Sequence, residues 1–181
     1  MEGLSTARLV LDIEGTIGIS GIRAATAQVT REGEATGSVS SSRDEGSELF
    51  EFEFVFADGT LYVRQATGGF QVVPPALASD SYDPSVLLDP DKGIPALLRS
   101  GTDAVTEARE QVDRVDSHRV KATFAGAALA LIPGLDEEAS GLIWVGVDDS
   151  RVVQVRFTVP DGVATMRLSD FDEPADITAP E

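Results

Sequence analysis

Leu49-Phe50-Glu51-Phe52-Glu53-Phe54-Val55-Phe56 sets the reading of the whole chain. In an extended backbone successive side chains point to opposite faces, so Phe50, Phe52, Phe54 and Phe56 share one face while Glu51 and Glu53 share the other. The same sidedness recurs in Leu9, Leu11 and Ile13 against Asp12 and Glu14, and in Val153, Val155, Phe157 and Val159 against Gln154, Arg156 and Thr158. One face of a sheet is apolar and the other is wet, the mark of antiparallel structure.

Working outward, the alternation predicts strands near 6–14, 22–31, 34–40, 48–56, 59–65 and 69–73, and a second series near 103–113, 116–124, 141–148, 151–159 and 162–169. Glu32-Gly33, Ala57-Asp58-Gly59, Asp148-Asp149-Ser150 and Pro160-Asp161-Gly162 separate consecutive runs by a few turn-forming residues. Consecutive hairpins imply an antiparallel meander.

The segment between the two series reads differently. Asp83 before Pro84 fits a helix N-cap with proline at the first helical position, and Pro90 ends that turn. A second helix is expected from about Gly93, with Pro95 in its first turn and Ile94, Leu97 and Leu98 buried. A third, short one is expected at 126–132, closed by Pro133-Gly134. Residues 38–47 read as a polar loop. A single domain over 1–175 is expected, and the acidic, proline-containing chain after Phe171 reads as loosely held, with 176–181 a short tail.

Strands lie ~4.8 Å apart, so a sheet of about ten is on the order of 45 Å wide, whereas one helix covers roughly 10 Å. Short helices cannot cover that face. Curling, folding into two sheets, or a bound apolar molecule must complete the burial. Alternation fits a filled sandwich or barrel as well as a ligand cavity, and filled sheets are the commoner case. A packed interaction module therefore stands as the rival reading.

The 181 residues carry 14 Lys and Arg against 31 Asp and Glu, a net charge of −17, and no cysteine. Such a surface repels a phosphate backbone, so nucleic acid is excluded as a partner class. Neither a disulfide nor a thiolate metal site can form. No apolar run approaches the ~20 residues of a membrane span. No catalytic constellation stands out. His118, the only histidine, has no G-x-S-x-G elbow to serve. Asp89-x-Asp91-x-Gly93 reads as a capping turn, because Pro90 and Pro95 spoil a calcium loop. Glycines 15–21 read as a hairpin connection, and Glu137-Glu138 and Asp148-Asp149 as solvated turns. Neither an enzyme, nor a cofactor, nor a metal site is expected, and a monomer is.

Several blocks, in order, resemble the LppX/LprG lipoproteins of mycobacteria and related actinobacteria. Tyr82-Asp83-Pro84, Val86-Leu87-Leu88-Asp89-Pro90-Asp91-Lys92-Gly93 and Leu97-Leu98 resemble that family's helical segment. Ala35-Thr36-Gly37-Ser38-Val39 is similar to its A-T-G-x-V strand, and Phe56-Ala57-Asp58-Gly59-Thr60-Leu61-Tyr62 to its F-x-D-G-x-L-Y hairpin. Ile143-Trp144-Val145 and Leu168-Ser169-Asp170-Phe171 resemble the V-W-I and L-S-x-W strands, with Phe171 where the family often has tryptophan.

The resemblance implies an α+β fold: a curled antiparallel half-barrel of about ten strands, with short helices across its concave face enclosing an apolar cavity. It implies carriage of acylated lipids or glycolipids across the envelope, by an exported lipoprotein anchored at the periplasmic face. Family members carry a signal peptide, a lipobox cysteine and an N-terminal helix before the strand at 9–13, and none precedes Leu9 here, so the anchor is expected upstream in the full-length form. The loop at Asp136-Glu137-Glu138 also departs from the family's usual run. The implied ligand-binding residues are Leu11, Val39, Phe50, Phe52, Phe54, Phe56, Leu87, Leu88, Ile94, Leu97, Leu98 and Val155. Tyr62 and Trp144 read as plain core ahead of lining.

Overall fold

A computed structural model of the chain describes residues 3–17, 21–42, 49–74, 84–129, 135 and 137–180. The first series forms β1 (Thr6–Gly15), β2 (Ile22–Thr30), β3 (Ala35–Ser41), β4 (Phe50–Ala57), β5 (Thr60–Gln65) and β6 (Gln71–Val72). The second forms β7 (Thr102–Val112), β8 (Val115–Phe124), β9 (Ala139–Gly146), β10 (Val152–Val159) and β11 (Gly162–Ser169). A 3₁₀ turn at Pro84–Leu88 and the helix α1 (Ile94–Ser100) lie between them, and α2 (Gly126–Leu129) joins β8 to β9.

All eleven strands belong to one open sheet in the order β6-β5-β4-β3-β2-β1-β11-β10-β9-β8-β7. Each series is a meander of hairpins, and the antiparallel pair β1–β11 joins the two series at mid-sheet. The consecutive strands β6 and β7 therefore stand at opposite edges. Chain leaving β6 must cross the width of the sheet to enter β7, and the 3₁₀ turn and α1 are part of that crossing. Topology, rather than helix propensity, puts helices over one face.

Local chemistry explains the joints. Asp58 and Gly59 both have positive φ, 53° and 70°, so the two-residue β4–β5 loop has the backbone that matches strand twist. The Asp89 carboxylate accepts the backbone N–H groups of Asp91 (2.8 Å) and Lys92 (3.0 Å), which makes the expected capping turn. Gly93 caps α1, with Pro95 in its first turn. Gly141 leaves the space that the Phe157 ring fills, since a Cβ there would stand 2.3 Å from that ring. Phe157 in turn meets Phe124 edge-on at 5.5 Å between centroids.

Three details differ from the sequence expectation, and the expected third helix falls partly outside the described residues. A register shift between Val152 and Gln154 puts Val152 into the main core in place of Val153, the expected first member of that apolar row. Leu98 is only partly buried, whereas Ile94 and Leu97 are fully so. The described part of the third helix ends at Leu129, and residues 130–134 lie outside the described residues, as does Asp83. The chain after Phe171 has no regular secondary structure, yet Ile177 is 7% exposed and packs with Val55 and Ala57. Composition marked that segment as loose, but the buried Ile177 at one end and the hydrogen bonds of Asp172 and Glu173 with Ser5 and Thr6 at the other anchor it.

Candidate functional site

The helical crossing lies against the apolar face. Leu87, Leu88, Ile94 and Leu97 join Leu9, Leu11, Val155, Phe157 and Met166 in one continuous buried cluster. Over β1, β9, β10 and β11, here called the spine, most residues on this concave face are buried, from Leu9 and Leu11 to Ala164 and Phe157, while Val145 and Val159 are partly so. Over β2 to β5, the wing, the same face is apolar but incompletely covered. Ala27, Val29, Ala35 and Phe54 are buried there, whereas Ile22, Ala25, Val39, Phe56, Leu61 and Val63 are only partly buried.

Register shows that these wing residues form one surface. Leu11 pairs with Ala25, Ala25 with Val39, and Val39 with Phe52. Beside that row, Phe54 pairs with Val63 and Phe56 with Leu61. Of the twelve residues expected to bind ligand, Leu11, Phe54, Leu87, Leu88, Ile94, Leu97 and Val155 are buried in the common core, and Val39, Phe56 and Leu98 pack against it. Phe52 is half-buried opposite Val39, and Phe50, 49% exposed, marks the rim where β4 begins. Sequence reasoning did not single out Ile22, Ala25, Leu61 and Val63, which share this face. The alternation in 59–65 carried the signal for the last two, but only pairing with β4 places them on the phenylalanine face.

The convex face has separate chemistry. Tyr62 packs there with Val55, Ala57, Phe70 and Ile177, and Arg64, ion-paired with Glu53, lies 4.7 Å over the Phe70 ring. Trp144 is buried near the β7 edge and donates its indole N–H to the Glu110 carboxylate at 2.6 Å. Arg119 bridges Glu110 and Glu107, at 3.2 and 3.4 Å. The Arg119 Nε has no well-aligned acceptor, and Glu107 at ion-pair distance offsets its burial by charge. Neither Tyr62 nor Trp144 lines the concave face.

Among the described residues two carboxylates are tuned, and both do structural work. Hydrogen bonds from Gln111 and then Arg109 hold the Asp116 carboxyl below its ordinary value. The backbone N–H of Ser5 does most to lower Asp172, which Arg151 also contacts at 2.7 Å. His118 is exposed on β8, beside Arg109 in the ladder. Among the described residues no group of three or more His, Cys, Asp or Glu could hold a metal ion. A depression of about 370 Å³ opens at one end of the sheet, between Val10, Val112, Val115, Val153 and Phe171 with aspartates at its rim, and none of the twelve residues lines it.

Against known proteins, the model of the LppX_LprAFG lipoprotein family matches residues 1–177. The chain belongs to this family. Within LppX_LprAFG, it is 32% identical over 139 residues to the lipoarabinomannan carrier protein LprG of Mycolicibacterium smegmatis, covering 75% of this chain and 58% of that protein. It is 31% identical over 160 residues to LprG of Mycolicibacterium hassiacum, covering 86% and 66% respectively. The chain thus spans somewhat less than two thirds of these relatives' length. The crystal structure of LprF from Mycobacterium bovis superimposes with a TM-score of 0.86 at 21% identity, covering 99% of this chain and 90% of that one. The Mycobacterium tuberculosis lipoprotein LppX superimposes with a TM-score of 0.72 at 16% identity, covering 98% and 91%. The LppX_LprAFG half-barrel expected from the sequence is the fold of the chain. Among the described residues no helix is long and apolar enough to cross a membrane.

Proposed function

We propose that the chain is a non-enzymatic carrier of acylated lipids or glycolipids, whose acyl chains lie on the concave face of the wing while the headgroup stays at the rim. The observation that carries this reading is the contrast on one continuous apolar face: the spine is mostly buried in the core that the helical crossing joins, and the wing, although the 3₁₀ turn lies over β2, is covered only in part. Burying acyl chains there gains roughly 0.8 kcal/mol per methylene, with no covalent step. The curated relatives named as lipoarabinomannan carriers support the same ligand class.

Val39, Phe52, Phe54 and Phe56 form the sheet side of the site and Leu87, Leu88, Ile94, Leu97 and Leu98 the helical side. Leu11 and Val155 form its floor, and Phe50 stands at its entrance. With a net charge of −17, the protein recognises a headgroup by hydrogen bonds rather than by attraction to an anion. The full-length protein works as a monomer, held at the periplasmic face of the envelope by an upstream lipid anchor.

Native mass spectrometry of the purified protein, followed by denaturation and organic extraction, tests the proposal. A stoichiometric multi-chain lipid that is lost in Val39→Trp supports it. A protein that is empty, and stays empty after incubation with envelope lipid extract, argues for a packed interaction module.

A further inference from the structure

We propose that the segment 172–177 is a positioning clasp that sets which acyl chains the wing accepts, acting through β4; the inference rests on the carrier reading above. The segment is fixed at both ends. At the near end the Asp172 carboxylate accepts the backbone N–H of Ser5 at 2.9 Å, the Asp172 N–H donates to the Thr6 carbonyl, and the Thr6 hydroxyl donates to the Glu173 carbonyl at 2.6 Å. Arg151 ties the same end to β10, contacting Asp172 at 2.7 Å and lying 5.1 Å over the Phe171 ring. At the far end Ile177 is buried against Val55 and Ala57, with Tyr62, Phe70 and Ala175 packed around them.

The span between the anchors leaves little slack. From β1 to β4 is three inter-strand steps, about 14 Å. Five residues of extended chain from Asp172 to Ile177 reach about 17 Å. The segment is therefore a short tie from spine to wing along the convex side.

Its far anchor grips the back of the strand that lines the site. Val55 and Ala57 alternate along β4 with Phe52, Phe54 and Phe56, so one side of the strand is held by Ile177 while the other faces the concave surface. A shift of β4 changes the distance from Phe54 and Phe56 to the helical side, and the packing of Ile177 on Val55 and Ala57 resists that shift. Ile177 acts through β4 and touches no ligand.

The test compares wild type, Ile177→Asp and Ile177→Val with two readouts. One is amide hydrogen exchange across β4 and β5 in lipid-free protein. The other is uptake, by native mass spectrometry, of a ladder of synthetic diacylglycerols from short to long acyl chains. The clasp predicts faster exchange in Ile177→Asp and a flattened chain-length profile. Retention of the preferred chain should fall by roughly 5- to 150-fold, the usual scale of coupling between sites, and Ile177→Val should restore both readouts. An Ile177→Asp protein with wild-type exchange, or one that is destabilised yet keeps the wild-type chain-length profile, overturns the clasp. No uptake by wild type overturns the carrier reading instead, and the exchange readout still decides whether Ile177 holds β4.

Discussion

Spine and wing are built from the same alternating sequence and reach different ends. On the spine, Leu9, Leu11, Val155, Phe157 and Met166 are buried in the core that Leu87, Leu88, Ile94 and Leu97 join. On the wing, Val39, Phe56, Leu61 and Val63 present an equally apolar face that is covered only in part. The difference arises from topology. The crossing from β6 to β7 is one strip of chain, narrower than the eleven-strand sheet that it crosses. Apolar surface left over after the core is satisfied is the part available for a ligand.

The comparison breaks most readily on the spine. Phe157→Ala should cost about 3–5 kcal/mol of unfolding free energy, because a buried ring that packs edge-on against Phe124 leaves a cavity. Urea denaturation reads this, and a loss below about 1 kcal/mol would mean that the spine is as loosely covered as the wing. Gly141→Ala should cost about 1–3 kcal/mol in the same assay, since the added methyl must displace the Phe157 ring or the strand.

Substitution on the wing should separate stability from binding. Val39→Trp is expected to shift unfolding by less than about 1 kcal/mol, because Val39 is only partly buried. The same change should abolish lipid retention by filling the acyl path. A large stability loss there would show a packed wing and contradict the contrast.

The smallest effect concerns the tie between the two regions. The folded protein holds Asp172 below its ordinary value of 3.8, so this carboxylate contributes stability that is in place above that value and lost as pH falls through the lower folded-state one. Hydrogen exchange at Ser5 and Thr6 should accelerate in that acid window. In Asp172→Asn the acid step should vanish, leaving a faster, pH-flat baseline.

How much of this was legible follows from the range of each interaction. Strands and hairpins were readable because alternation and turn residues such as Asp58-Gly59 act within a few positions. The residues of α1 were readable from Gly93, Pro95 and the spacing of Ile94 and Leu97. The shift at Val152 was not, because an unbroken apolar pair, Val152-Val153, fits either register until β9 is beside it. Ile177 was hidden by its acidic surroundings, since its burial depends on Val55 and Ala57 more than a hundred residues away. The site was legible as a face but not as a place. Phe52 and Phe157 have the same local pattern, and only tertiary packing, with the Phe124 ring and Gly141 beside Phe157, decides which of them stays partly uncovered.

A crystal structure of the protein loaded with a lipid whose acyl chains carry bromine tests the central claim most directly. Anomalous bromine peaks along Val39, Phe52 and Phe56, beneath Leu87 and Leu97, are the predicted result. Peaks confined to the depression near Val112 and Phe171, or none at saturating lipid, would contradict it.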